Sequence, residues 1–236
     1  EEMAKAAIEG NLQYIVITDH TKRLAMTGGL NEKQVLKQGE EIDRINSRLR
    51  PAFVKTMAGK QGFGGQAKFK ILKGTECDIL KDGSMDLKDE ALAKLDVVGG
   101  SIHSYFNLPK AEQTKRIIRA MRNPHVDIIF HPNGRMINQR PAYDLDWDEI
   151  IKVAKETGTV LEINAYPDRL DIWDELIRKC VEAGVKMSID SDGHSKEHFS
   201  VLEYGIAQAR RGWATKNDII NAWPLEKMLS FLKNSK

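Results

Sequence analysis

The histidine and acidic residues of this sequence recur directly after short apolar runs. The run YIVIT is followed by Asp19 and His20, and the run VKMSID leads into Asp192 and His194. Residues of the same kind that follow other apolar runs are Glu76, His103 and His131. If the runs are parallel strands, these side chains meet at one edge of the sheet. Imidazole and carboxylate groups bind divalent metal ions, so the pattern predicts a metal site.

Single residues of this set have simpler explanations. Thr18, Asp19 and Thr21 could cap the next turn, and a lone histidine beside a core is more often a hydrogen-bonded packing residue. A buried cluster of imidazoles and carboxylates without a metal, however, would carry uncompensated charge or shifted pKa values. His125 and His198, which lie away from strand ends, keep the simpler explanation.

The predicted metal ligands are more numerous than one tetrahedral site can use, so two or more ions are expected. These ligands are His20, Glu76, His103, His131, Asp192 and His194. Without a thiolate, the set suits zinc, manganese or iron and does not select among them. Cys77 and Cys180 are far apart in the sequence, and we predict that both are reduced core residues.

Clustered divalent ions favour phosphoester hydrolysis, because they clamp phosphoryl groups and lower the pKa of a bound water. We assign Glu76, as a bridging carboxylate, and Asp192 to catalysis. Arg135 and Arg140 follow His131 closely, and their guanidinium groups could act in catalysis and bind phosphate oxygens. Arg169 is a third candidate for substrate binding. The alternative for each arginine is a surface ion pair with Asp144, Asp168 or Asp171.

Six strand-like runs alternate with amphipathic segments of helical period, which predicts βα units around a parallel sheet. The runs cover residues 14–18, 69–74, 95–102, 126–130, 159–164 and 185–190. Gly158 and Gly184 are expected to end two of the helices. A leading helix without a strand before it would make the strand count seven. We therefore predict an α/β barrel that lacks its first strand in this chain, rather than an open sheet.

The composition fits one globular domain over residues 1–236, with 41% hydrophobic residues and a net charge of +2. The stretch 51–70 is rich in Gly and Lys and free of acids, and we interpret about 51–68 as a loop insertion. Its lysines (Lys55, Lys60, Lys68 and Lys70) could contact a nucleic-acid backbone, although a loop that is basic by chance explains them better. The absence of a membrane span or secretion signal predicts a cytoplasmic protein.

Several motifs together resemble the polymerase and histidinol phosphatase (PHP) domain, in the version joined to the C-terminus of bacterial and archaeal family X DNA polymerases. They are ITDH, KGTECDILKDGSMDL, SIHSYFN, DIIFHPNGR, GTVLEINAYPDRLD, SIDSDGHS and GIAQARRGW, and they span the chain except residues 51–68. The resemblance implies a distorted seven-stranded βα barrel. It also implies three metal ions on nine ligands, of which this chain has the six named above. Asp19 would support the site, and Asp190 would replace a residue that is usually uncharged.

The activity implied by the resemblance is manganese-dependent removal of nucleotides from DNA 3′ ends. The family's first strand carries an HxH motif and a further ligand soon after it, whereas this chain begins at Glu1, past all three. We therefore expect an upstream segment that includes a polymerase domain, and a weakened metal site in this chain. Two alternatives remain: a small-molecule phosphatase of histidinol-phosphatase type, and a non-catalytic module that supports the polymerase.

Overall fold

The computed structural model describes residues 1–57 and 69–234, and its centre is a sheet of six parallel strands. The strands are β1 (Tyr14–Ile17), β2 (Lys70–Asp78), β3 (Val97–Ser101), β4 (Ile128–Ile129), β5 (Val160–Asn164) and β6 (Met187–Asp190). Each strand pairs with the next one in the chain, and the sheet curls into a half-barrel. A doubly wound open sheet would reverse the strand order at a switch point. The continuous order therefore confirms the predicted barrel type.

Helices connect and flank the strands. They are α1 (Glu2–Glu9), α2 (Glu32–Met57), α3 (Asp89–Leu92), α4 (Lys110–Met121), α5 (Trp147–Thr157), α6 (Asp174–Ala183), α7 (Leu202–Arg211) and α8 (Leu225–Asn234). The side chain of Asp146 caps α5 by accepting a hydrogen bond from the main-chain N–H of Glu149. Gly158 and Gly184 end α5 and α6 with φ of 66° and 78°, as predicted, because glycine adopts this left-handed conformation without strain.

The stretch interpreted as a loop insertion lies only partly within the described residues. Helix α2 includes residues 51–57, and residues 58–68, with Lys60 and Lys68, lie outside the described ranges. Of the other two lysines in the prediction, Lys55 belongs to α2 and Lys70 begins β2. In the part of the chain that is described, no helix has the length and apolar character needed to cross a membrane.

Apolar side chains fill both faces of the sheet, which explains why the strands read as nearly continuous apolar runs. On the outer face, Ile117, Ile150 and Ile177 bring α4, α5 and α6 into one fully buried core. On the inner face, α8 packs against strand residues such as Leu72 and Val160. The curl of the sheet therefore encloses an apolar interior.

A cavity of about 930 Å³ lies between the first and last strands, β1 and β6. Tyr14 and Val16 of β1, Ile189 of β6 and Trp223 are among the residues that line it. Within the described ranges, β1 pairs only with β2, and β6 pairs with β5. The open edge of β1 faces this cavity, whereas the corresponding edge of β6 is covered by residues 218–221, with a bridge between Met187 and Ile219. The cavity opens onto the strand ends that carry the predicted ligands.

Candidate metal centre

The Glu76 carboxylate lies at the centre of three histidine side chains. Its Oε1 is 3.1 Å from His103 Nε2 and 2.8 Å from His131 Nε2, and its Oε2 is 3.3 Å from His20 Nδ1. The three histidines follow β1, β3 and β4, and Glu76 belongs to β2. We call these four residues the Glu76 centre. Parallel strands bring their C-terminal ends to one edge, which is why residues so far apart in sequence converge here.

The donor atoms of the Glu76 centre fit a metal ion. One ligand atom each from His20, Glu76 and His103 can be chosen so that all three lie within 4.8 Å of one another. The Nδ1 atoms of His20 and His131 are buried and have no hydrogen-bond partner in the described part of the chain. Buried polar atoms are normally hydrogen-bonded, so imidazole nitrogens without a hydrogen bond beside a carboxylate fit the role of metal ligands.

Asp78 supports the Glu76 centre from behind His103. It is 1% exposed, and its Oδ1 accepts a hydrogen bond from the main-chain N–H of His103 and lies 3.1 Å from His103 Nδ1. This contact directs the opposite ring nitrogen, Nε2, toward Glu76. Asp78 was not among the residues predicted from sequence, although its position two residues after Glu76 on one strand places both side chains on the same face.

Burial and close charges shift the pKa values within the Glu76 centre. Burial alone lowers the pKa of His103, but hydrogen bonds to Asp78 and Glu76 outweigh it and raise that pKa to about 9. Burial alone raises the pKa of Glu76, but hydrogen bonds from His103 and His131 hold it well below its usual value. Burial, followed by the charge of Arg169, lowers the pKa of His131. The hydrogen bond between Glu76 and His103 thus shifts both pKa values in the direction that favours the charged forms.

Asp192 and His194 lie in the same cavity as the Glu76 centre but form a separate group. The Oδ2 atom of Asp192 accepts hydrogen bonds from Asn164 Nδ2 at 3.1 Å and Arg169 Nε at 3.0 Å. The ring of His194 is 6.3 Å from the ring of His20 between centroids, and its side chain is 67% exposed. All six predicted ligands thus lie near the barrel mouth, with four of them in direct contact through Glu76.

The three arginines predicted to bind phosphate occupy different environments. Arg169 pairs with Asp192, and its Nη1 is buried without a hydrogen-bond partner among the described residues. Arg135 donates to the main-chain carbonyls of Arg169 and Leu170. Arg140 donates to the carbonyl of Gly134, with its guanidinium 3.9 Å from the centroid of the Phe106 ring.

Two buried carboxylates hold the chain around His131. Glu162, 3% exposed, accepts a hydrogen bond from the main-chain N–H of His131, and burial together with the charges of Asp190 and Asp192 raises its pKa well above the usual value. Asp171 is fully buried and accepts main-chain hydrogen bonds from Asn133 and Gly134. Asp171 was predicted only as a surface ion-pair partner, because the sequence does not show that its carboxylate turns inward.

No family model matches the sequence, but individual known proteins are similar to it. The DNA polymerase/3′-5′ exonuclease PolX of Bacillus subtilis is 40% identical over 234 residues, which are 99% of this chain and 38% of that protein. A probable phosphatase of Thermoanaerobacter sp. is 32% identical over 71% of this chain and 69% of its own length. A probable phosphatase of Caldanaerobacter subterraneus is 31% identical over 82% and 68%, respectively.

Proposed function

The chain belongs to the PHP family of metal-dependent phosphoesterases, and we propose that its Glu76 centre hydrolyses phosphodiester bonds at DNA 3′ ends. The observation that supports this most directly is the contact of one buried carboxylate, Glu76, with histidines from three neighbouring strand ends. The Glu76 centre would hold divalent ions, and such ions, when bound, would polarise a phosphoryl group and stabilise the charge that develops on it.

The proposed ion binding uses two groups of side chains. His20, Glu76, His103 and His131 form the first group, and Asp192 and His194 form the second. We propose two or three divalent ions, with manganese, zinc and iron as candidates. When bound, such ions supply a water of lowered pKa and neutralise charge on the phosphoryl group.

The chain's own residues have supporting tasks in this proposal. Asp78 fixes the ring orientation of His103, and Glu162 holds the main chain at His131. Arg169 is our candidate for binding a non-bridging phosphate oxygen, because its Nη1 is buried and unpaired while its Nε donates to Asp192. A direct substrate contact by Arg135 or Arg140 stays a prediction, since both guanidinium groups bind main-chain carbonyls.

The choice of DNA as substrate rests on the relative from Bacillus subtilis, whose name states a 3′-5′ exonuclease. The chain spans 38% of the length of that protein, so an attached polymerase domain and a cytoplasmic location are also part of the proposal. We further propose that residues 1–236 form one domain. The relatives named as probable phosphatases favour the alternative of a small phosphomonoester substrate.

Metal content and substrate choice can be tested together. The purified chain is stripped with chelator, reloaded with manganese, analysed by mass spectrometry, and assayed on a labelled single-stranded oligonucleotide and on p-nitrophenyl phosphate. Glu76→Gln keeps the size of the side chain but removes its charge, and Glu203→Gln on the exposed face of α7 is the matched control.

We expect bound metal and oligonucleotide shortening in the wild type and in Glu203→Gln, and loss of both in Glu76→Gln. Hydrolysis of the monoester alone would favour the small-molecule phosphatase. Protein that binds no metal and cleaves neither substrate would leave only the non-catalytic module.

A further inference from the structure

Three loops that leave the Glu76 centre bring an aromatic ring and two cations together. Arg23 follows His20 by three residues, and Tyr105 follows His103 by two. Lys81 comes five residues after Glu76. The guanidinium carbon of Arg23 is 5.8 Å, and the ammonium nitrogen of Lys81 5.5 Å, from the centroid of the Tyr105 ring. We call Arg23, Lys81 and Tyr105 the Tyr105 surface.

The Tyr105 surface is built into the fold and is exposed. Tyr105 is 45% exposed and has a φ of 57°, a left-handed conformation that is uncommon for a residue with a bulky side chain. Beneath it, the buried Arg116 donates hydrogen bonds to the carbonyls of Leu80 and Ser104, each at 2.8 Å. These two carbonyls immediately precede Lys81 and Tyr105, so one guanidinium fixes both loops. The exposure of the ring is therefore maintained by buried contacts.

Asp78 links the Tyr105 surface to the Glu76 centre. One oxygen of its carboxylate contacts the ring of His103, and the other lies 3.5 Å from Arg23 Nε. Two residues of chain span at most about 7 Å, so Tyr105 cannot lie far from His103. A substrate whose phosphate occupied the Glu76 centre would therefore have its adjoining groups near Tyr105.

We propose that the Tyr105 surface binds single-stranded nucleic acid, with a base stacked on Tyr105 and neighbouring phosphates paired with Arg23 and Lys81. This inference rests on the proposed function and specifies its substrate as a polymer. Aromatic rings accept any base by stacking, and lysine and arginine add affinity by releasing counterions from the phosphate backbone. A small phosphomonoester would reach the Glu76 centre without needing this surface.

A second cavity continues the Tyr105 surface. It has a volume of about 590 Å³, and Tyr105, Phe106 and Arg140 are among its lining residues. The guanidinium of Arg140 covers the Phe106 ring at 3.9 Å. Proteins that bind single strands combine aromatic rings for the bases with cations for the phosphates. The path for the strand therefore leads from the Glu76 centre across Tyr105 into this cavity.

Binding can be measured independently of hydrolysis. The probe is a short fluorescent oligothymidine whose phosphorothioate linkages resist cleavage. Its binding is measured by fluorescence anisotropy in buffer that contains manganese. Loss of one stacked base in Tyr105→Leu should weaken binding by about 5- to 150-fold. Tyr105→Phe should keep the affinity within about twofold, because the ring is retained. The control is Tyr204→Leu, an exposed tyrosine of α7 that lines neither cavity, and its affinity should equal that of the wild type.

The cations have a separate readout. Arg23→Gln and Lys81→Gln should each reduce the slope of log affinity against log salt by about 0.7, the value for one phosphate contact on a single strand. Circular dichroism shows whether Tyr105→Leu folds. If it folds poorly, Arg23→Gln and Lys81→Gln still test the surface, because both side chains are at exposed positions. Wild-type affinity in Tyr105→Leu, or a wild type that does not bind the oligonucleotide, would overturn the inference.

Failure of the inference and failure of the proposed function give different results. If Tyr105→Leu hydrolyses the oligonucleotide and the small diester bis(p-nitrophenyl) phosphate with equal losses relative to the wild type, the Tyr105 surface is rejected. The phosphoesterase activity is then still supported. A wild type that hydrolyses neither compound, but binds the oligonucleotide through Tyr105, would reject the phosphoesterase and keep the surface.

Discussion

Asp78 holds His103 at two points, accepting a hydrogen bond from its main-chain N–H and contacting Nδ1 of its ring at 3.1 Å. The other ring nitrogen of His103 faces Glu76 at 3.1 Å. Asp78 is 1% exposed, so its contact with the ring is little weakened by solvent. The orientation of one proposed metal ligand thus depends on a carboxylate that need not contact the metal.

Replacing Asp78 by Asn should weaken metal binding without removing any proposed ligand. The amide keeps the volume of the side chain but loses the charge that orients and polarises the imidazole. We expect the affinity for the metal to fall by about 10- to 100-fold, as is typical when such a supporting residue is changed. Titration calorimetry with manganese measures the effect. Asp82→Asn, at an exposed ion pair with Arg119, is the control and should bind metal like the wild type. Equal affinity in Asp78→Asn would show that His103 is oriented by other contacts.

Arg169 should contribute to the chemical step more than the other two arginines. Its Nη1 is buried and unpaired, whereas Arg135 donates to two main-chain carbonyls. If Arg169 stabilises phosphoryl charge in the transition state, Arg169→Gln should lower kcat by about 100-fold or more.

Steady-state kinetics on an oligonucleotide separate the two roles. Arg135→Ala should act mainly through stability, since the loop at Arg169 and Leu170 loses its support. Unchanged hydrolysis in Arg135→Ala would contradict the catalytic role predicted for Arg135 from sequence. Equal losses of kcat in Arg169→Gln and Arg135→Ala would contradict a larger role of Arg169 in the chemical step.

Two adjacent glycines of β3 should respond differently to alanine. A Cβ added to Gly99 would lie 1.8 Å from a ring carbon of Phe130, whereas one added to Gly100 would have its nearest neighbour at 3.4 Å. Overpacking of this kind typically costs about 1–3 kcal/mol or more. We expect Gly99→Ala to lower the free energy of unfolding in urea by at least that much, and Gly100→Ala to lower it by less than about 1 kcal/mol. Similar losses for both would mean that Phe130 moves aside freely.

Sequence patterns predicted the strands and the convergence of Glu76 with three histidines, because both follow from short-range periodicity and parallel pairing. All six strands were found, although β4 is shorter than the run that predicted it. The directions of Arg135 and Arg140 could not be predicted. A long side chain has many rotamers, and the carbonyls that these arginines bind become neighbours only in the folded loops.

Buried carboxylates were the other gap in the sequence analysis. Asp171 looks like an ordinary surface acid in sequence, and Asp78 was not predicted although it shares a strand face with Glu76, yet the two residues are 0% and 1% exposed, respectively. Their partners are main-chain N–H groups of residues more than twenty positions away, which no local pattern reveals. Such residues are recognised only when the fold shows which loops need an acceptor.

The buried Asp171 should make stability depend on pH. Burial raises its pKa to about 7, although the N–H groups of Asn133 and Gly134 and the charge of Arg135 oppose the shift. In the unfolded chain the pKa of an aspartate is near 3.9, so the native state binds the additional proton between these values. This extra proton contributes to the free energy of unfolding in full below about pH 4, and the contribution is lost as the pH rises through about 7. The total loss is at most about 4 kcal/mol.

Asp171→Asn should remove this dependence, because the amide is neutral at every pH and still offers an oxygen to Asn133 and Gly134. The free energy of unfolding of the wild type minus that of Asp171→Asn should therefore fall as the pH rises from 5 to 8. Urea denaturation at several pH values gives this difference, with the exposed Asp168→Asn as control. A difference that stayed constant or rose over this range would show that Asp171 is already ionised at pH 5, held charged by the two N–H groups and Arg135.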